Sequence, residues 1–144
     1  MADLKLLALD QEDLDVIATY TQDAIIKVGD MGFAPNDKRF AFLMNRFAWE
    51  AGEKSRKGER RRAAMHFDHV LSAKTSGFDI NAKDGVLELL TVRFSEGDAP
   101  SGVVTLEFAG GGSVALEVEC LEARLADLGA AWRAKAKPTH ELEE

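Results

Sequence analysis

The sequence predicts an α+β domain: a bent antiparallel sheet or barrel with an N-terminal helix and a closing C-terminal amphipathic helix. Three observations carry that expectation. Apolar and polar residues alternate in one segment after another with turn residues between them, the period of half-buried strands. Apolar residues spaced by three and four occur near both ends, where the two helices are placed. Gly110-Gly111-Gly112 sits between two alternating runs as a hairpin turn. Helices segregated from a run of strands define the α+β class.

The elements follow in order. Leu4 to Leu9 is a short apolar run that reads as a strand. Asp10 stands where a helix N-cap belongs, with Asp13 three residues on in the place of a capping-box Glu. Acids at Glu12, Asp13 and Asp15 suit the positive end of the helix dipole. Leu14, Ile17, Ala18 and Thr21 continue at helical spacing, so a helix is expected over Gln11–Thr21.

From Ala24 the period becomes two, through Ile26 and Val28, with a bulge or bend expected at Gly29 and Gly32 before Phe33. Pro35-Asn36-Asp37 has turn chemistry, because proline presets φ and Asx side chains close on their own backbone. A strand is expected over Arg39–Trp49, with Phe40, Phe42 and Met44 on one face and Ala41, Leu43, Phe47 and Trp49 on the other. Glu50 to Arg60 reads as a charged, glycine-containing loop. Alternation resumes from Arg62 to Ala73 as one strand, with Ala63, Met65, Phe67, His69 and Leu71 facing one way and His66, Asp68 and Val70 the other.

Val86 to Phe94 is a further strand, ended by the turn chemistry of Ser95 to Pro100. The last two strands are Gly102–Phe108 and Ser113–Cys120, the latter with Val114, Leu116, Val118 and Cys120 inward and Glu117 and Glu119 outward. Leu121, Leu125, Leu128 and Trp132 recur at i, i+4, i+7 and i+11, the stripe that predicts the closing helix, with Gly129 as a C-cap or an interior residue. One domain is expected over 1–133, with a polar tail at 134–144. Leu43-Met44-Asn45-Arg46-Phe47 and Leu90-Thr91-Val92-Arg93-Phe94 share Leu-x-x-Arg-Phe, a pattern that either internal duplication or ordinary strand ends would give.

Composition narrows the function classes. A net charge of −7 opposes docking on nucleic acid or an anionic membrane. One cysteine, Cys120, cannot form an intramolecular disulfide and favours a reducing compartment. No apolar run has the about 20 residues that a membrane-spanning helix needs, and the N-terminus lacks a signal-peptide core, so a cytoplasmic location is expected.

His66-Phe67-Asp68-His69 is the one cluster of histidine and acid in the sequence. On a strand His66 and Asp68 share a face, and such a pair could orient an imidazole for acid–base work. The bland alternative is a sheet histidine hydrogen-bonded to a neighbour. A metal centre needs three or four converging ligands; this segment offers two at most, so no metal and no cofactor is expected. The run Lys54, Arg56, Lys57, Arg60, Arg61, Arg62 could neutralise phosphates. Glu53 and Glu59 dilute it and no aromatic interleaves it, so a solvated loop is the better reading. The triple glycine lacks the lysine of a phosphate loop and precedes a strand. Cys120, on an inward strand position, reads as a small hydrophobe.

Leu7-Ala8-Leu9-Asp10, Gln22-Asp23-Ala24, Arg39-Phe40, Asn45-Arg46-Phe47 and Trp49-Glu50, with Phe108 to Gly112 and Glu117 to Ala123, give the chain its resemblance. Over nearly its full length it resembles a domain-of-unknown-function family of small bacterial proteins, mainly alphaproteobacterial. That resemblance implies no activity and no site residues.

Strands followed by a closing helix look like a pleckstrin-homology-type barrel, the architecture preferred on this order of elements. An open antiparallel sheet with both helices on one face is the alternative. The likeness is one of fold and implies no lipid binding. Two function classes remain. The first is a non-catalytic cytoplasmic module that binds a protein or peptide, with neither nucleic acid nor membrane as partner. The second is a small enzyme or small-ligand-binding protein using His66 and Asp68 as catalytic groups with a nearby arginine, Arg46 or Arg93; Arg60, Arg61 and Arg62 are separate candidates for binding phosphate groups.

Overall fold

Local chemistry sets the first helix. The computed structural model describes residues 3–48 and 60–129. In it α1 spans Gln11–Thr21, and the Asp10 carboxylate accepts a hydrogen bond from Asp13 N at 2.8 Å. Asp13 answers by accepting from Leu9 N at 3.2 Å, one residue before the usual capping-box position. Leu14, Ile17 and Thr21 form the buried stripe. Thr21 is satisfied there because its hydroxyl donates to the Ile17 carbonyl at 3.0 Å.

The strands are β1 (Lys5–Ala8), β2 (Ile25–Lys27), β3 (Met31–Ala34), β4 (Arg39–Phe47), β5 (Arg60–Phe67), β6 (Val70–Ser76), β7 (Val86–Glu96), β8 (Gly102–Phe108), β9 (Ser113–Val118) and β10 (Ala123–Asp127). They pair antiparallel in the order β1-β10-β5-β4-β2-β7-β8-β9-β6, with β3 alongside β4. The order does not close on itself, so the sheet is bent but open, with β1 and β6 at its two ends. Helix α1 packs on β7, β1 and β4, with the Gln11 side-chain oxygen accepting from Phe94 N at 2.9 Å.

One apolar core joins both halves of the sheet. Ile17 of α1, Met44, Met65 and Phe67 of the first half, and Leu89, Leu106 and Leu116 of the second are each under 2% exposed. The β8–β9 hairpin turns where expected. Gly110 and Gly111 adopt φ of 91° and 100°, which side chains disfavour, and Phe108 N donates to Gly112 O at 2.9 Å.

Four sequence expectations are corrected. First, residues 123–127 are strand, not helix: β10 pairs with β1 through Lys5↔Ala126 to Ala8↔Ala123, and with β5 through Ala123↔Phe67 to Asp127↔Ala63. Leu121, in the β9–β10 connection, and Leu125, on β10, are buried all the same. Ala123, between them, is buried too and lies off the supposed helical stripe. The helix after the last strand, which suggested the pleckstrin-homology-type comparison, is therefore missing from these residues; Trp132 lies outside the described part.

Second, the alternating run 62–73 is two strands. His69 takes φ of +61°, the chain turns a corner there, and the inward parity flips. Ala63, Met65 and Phe67 are buried before the corner; after it Val70 is buried and Leu71 is 46% exposed. Third, β9 ends at Val118, so Cys120 is half-buried in the connection to β10 and does not face the core from a strand. Fourth, Arg60 and Arg61 belong to β5 and not to a loop. Arg62 is on β5 as well; Lys54, Arg56 and Lys57 of that run, Trp49 and the polar tail lie outside the described residues.

The outer face of β4 matches its mixed composition: Ala41, Leu43 and Phe47 are half-buried while Phe40, Phe42 and Met44 are fully inside. The two Leu-x-x-Arg-Phe segments part company in three dimensions. Arg46 is fully buried, whereas Arg93 is about half exposed and pairs with Glu107.

Candidate functional site

The corner between β5 and β6 gathers most of the protein's histidine chemistry. β5 places His66 on the outer face, with Ala41 and Arg124 as its cross-strand neighbours. The chain then turns, held by Asp68 N donating to Glu122 O at 3.0 Å and Glu119 N donating to His69 O at 2.8 Å. Those two bonds carry the ladder from β5–β10 to β6–β9, so residues distant in sequence meet at one bend.

Two linked sets of polar groups result. Asp68 Oδ1 accepts from Arg39 Nε at 2.7 Å, and Asp68 Oδ2 lies 3.5 Å from His66 Nδ1. His69 Nε2 is 2.9 Å from Glu122 Oε1, while Arg124 Nη2 donates to Glu122 Oε2 at 3.2 Å. Lys38 Nζ is 3.0 Å from Glu119 Oε2, and the other oxygen of Glu119 lies 3.9 Å from His69 Nδ1. Each carboxylate of the corner therefore faces a cation or an imidazole.

Burial pushes the His66 imidazole below its usual pKa of 6.5, with Arg39 and Arg124 adding to the shift and Asp68 and Glu122 opposing it. His66 Nδ1 is buried and makes no hydrogen bond among the described residues. Burial favours the uncharged imidazole, the form a base needs, but Asp68 is engaged by Arg39 and does not orient it through a short hydrogen bond. Glu122 is held below the ordinary carboxylate value of 4.5 by its hydrogen bonds from His69 and then Arg124.

Both shifts have the same consequence in acid. A depressed His66 pKa means the unfolded chain takes up that proton first, so stability present above pH 6.5 is lost as pH falls through 6.5 toward the folded value. The Glu122 contribution is present above 4.5 and disappears below it. Urea midpoints are therefore expected to fall between about pH 7.5 and about pH 5.5, and His66→Gln should remove part of that fall. Identical slopes for the two proteins would contradict the assignment.

The arginines proposed from sequence lie elsewhere. Arg46 points into the core, on the face opposite His66, and Arg93 is in the other half of the sheet. The arginines that do reach the His66–Asp68 pair are Arg39 and Arg124, which sequence reasoning missed. The β5–β10 register supplies Arg124 and the β4–β5 register, whose Phe40↔Phe67 pair adjoins Arg39 and Asp68, supplies Arg39; neither is visible in spacing along the chain. Arg60 lies over the Phe47 ring at 3.8 Å and donates to Asn45 O at 3.1 Å. Arg62 reaches Asn45 Oδ1 at 3.3 Å and Asp30 Oδ2 at 3.2 Å. Arg61 is half-buried opposite Arg46 in the β4–β5 register. Among the described residues no three His, Cys, Asp or Glu side chains converge as a metal-ligand set.

Among the described residues Arg46 and Asp127 form a fully buried ion pair. Nε meets Oδ1 at 2.9 Å and Nη2 meets Oδ2 at 2.8 Å, and Leu4 N donates to the same Oδ2 at 2.9 Å. The pair reaches across β5, on which Ala63 is the register partner of Asp127 and Arg61 that of Arg46. It ties β4, β10 and the entry of β1 together.

Fold and corner define an α+β protein of mostly antiparallel sheet with one N-terminal helix, its polar groups engaged mainly with one another. The chain belongs to the family described as Protein of unknown function (DUF2948), which it matches over residues 4–140. No curated protein and no solved structure matches it. No helix of the described residues is long and apolar enough to cross a membrane.

Proposed function

We propose that this chain is a non-catalytic cytoplasmic module that binds a protein or peptide by adding an extended segment to the outer edge of β6. The observation that carries the reading is the position of β6 at one end of the strand order, paired to β9 on one side and to no strand on the other among the described residues. A bulge interrupts its ladder between Val70 and Ser72 and Val70 N already donates to Lys38 O at 2.9 Å, so the stretch open to strand addition is Ser72-Ala73-Lys74-Thr75-Ser76, which has no proline and one charge. The main chain of such an edge supplies affinity and alternate side chains supply selectivity. Leu71 offers an exposed apolar contact beside it. At the opposite end β1 has four residues and an exposed Lys5, a poorer template.

The corner argues for the same class. Its carboxylates are consumed in pairing, and no serine or cysteine stands by His66 as a nucleophile among the polar partners described above. Nucleic acid and membranes are not the partners in this reading, in keeping with a net charge of −7 and with Arg60 and Arg62 engaged on the protein itself.

The test is a selection of extended peptides from a random library, followed by amide hydrogen exchange with and without the best binder. Slowed exchange across 72–76 is expected. Peptides that bind while protecting the His66–Asp68 corner instead would move the site there, and a library that yields no binder would refute the reading.

A further inference from the structure

The open stretch of β6 is five residues long and closed at both ends. Toward the corner, Val70 N is taken by Lys38 O at 2.9 Å and the ladder bulges before Ser72. At the other end the chain turns at Gly77, whose φ is 79°. A Cβ there would stand 2.8 Å from Gly111 O, so the backbone lies against the β8–β9 hairpin. A segment added to this edge therefore finds Ser72 to Ser76, about 17 Å of backbone, and meets their side chains in a fixed alternation.

Register assigns the two faces. Ala73 pairs with Leu116 and Thr75 with Val114, both fully buried, so Ala73 and Thr75 share the core side. Ala73 is half-buried there, on the margin of the core. Lys74 stands on the outer face beside Ala115, exposed, at the middle of the open stretch and as its one charge. It forms no ion pair among the described residues. Glu117, diagonal to it in the β6–β9 register, accepts from Ser72 Oγ at 3.2 Å.

A second copy of the chain is a poor occupant. The antiparallel register that pairs all five residues with all five puts Lys74 opposite Lys74, and like charges directly opposite are destabilising. A lysine on an edge is a common device against such self-pairing. A segment carrying aspartate or glutamate at that position removes the penalty and gains a cross-strand ion pair. Its two neighbours then point to the core side, where an apolar side chain opposite Ala73 covers it. We infer that β6 takes an acidic extended segment, with an aspartate or glutamate opposite Lys74 between two apolar residues, and that Lys74 selects it. The inference rests on the edge-pairing reading above and adds the chemistry of the partner. The net charge of −7 repels acidic peptides at long range, so a preference for them has to be local.

Side-by-side selections of extended peptides on the wild type, Lys74→Gln and Lys74→Glu test it. Lys74 is exposed, so both variants should fold. Wild-type binders are expected to carry an acid between apolar residues and to slow amide exchange across 72–76. In the best of them, changing the acid to lysine should weaken binding by about 2–5-fold, the range of one exposed ion pair. Lys74→Gln should abolish that difference, Lys74→Glu should reverse it, and added salt should shrink it. Binders that protect 72–76 without preferring an acid, or a preference unchanged in both variants, would overturn the inference and leave the edge reading standing. Acidic peptides that protect 66–69 would overturn it too, because Lys38, Arg39 and Arg124 at the corner would then be the attraction. A selection that yields no binder would refute the inference together with the edge reading.

Discussion

Replacing Asp127 with Ala is expected to destabilise the protein by about 3–5 kcal/mol, the largest loss of any single polar change, because it strands a buried guanidinium. Arg46 has no exposed side-chain surface, and both of the hydrogen bonds it makes to the carboxylate would go. Leu4 N would lose its acceptor as well, so amide exchange along β1 should quicken more than in β8 or β9. The pair is not a net source of stability by virtue of being a salt bridge. Withdrawing two charges from water costs much of what their attraction returns, so replacing both partners by apolar groups should be far milder than replacing one. Arg46→Met combined with Asp127→Leu is therefore expected to recover most of the loss. Chemical denaturation decides it. An Asp127→Ala effect within about 0.5 kcal/mol, as for a surface position, would mean that water reaches the pair.

Leu125→Ala should cost about 2–5 kcal/mol, the range for emptying a leucine-sized space in a core. Leu125 is 1% exposed on β10, between Leu6 of β1 and Met65 of β5. A helix carrying Leu121, Leu125 and Leu128 on one stripe would give a similar loss, so this variant alone tests burial and not the strand. Two companions separate the cases. On the strand Ala123 points inward and is fully buried, so Ala123→Leu should overpack the core and cost about 1–3 kcal/mol. Leu128, past the strand end and half-buried, should cost less than Leu125 on truncation to alanine. A harmless Ala123→Leu together with equal losses at 125 and 128 would restore the helix and sink β10.

The candidate site was only partly legible. Two-residue spacing suggested that His66 and Asp68 share one side of a strand; Asp68 lies past the end of β5, in the corner, and still approaches His66 at 3.5 Å. The rest of the corner was hidden. Arg39 is 29 residues from Asp68 and Glu122 is 53 from His69, and they meet because the β4–β5 and β5–β10 registers run on past Phe67 into the corner. Arg46 was singled out for the chemistry of its side chain, but its face and its partner 81 residues away assign it to the core.

What the sequence by itself determined was local. The Asp10 cap, the Leu14–Ile17–Thr21 stripe and the glycine hairpin each depend on neighbours within a few residues, so short-range spacing and turn chemistry were sufficient to place them. The identity of the last described element was decided by tertiary structure. Leu121, Leu125 and the charged residues between them fit either period, and a segment of that length has little helical stability of its own in water. Pairing with β1 on one side and β5 on the other satisfies the backbone of β10 across both edges. It also delivers Asp127 to Arg46, a requirement that a helix at the surface would leave unmet.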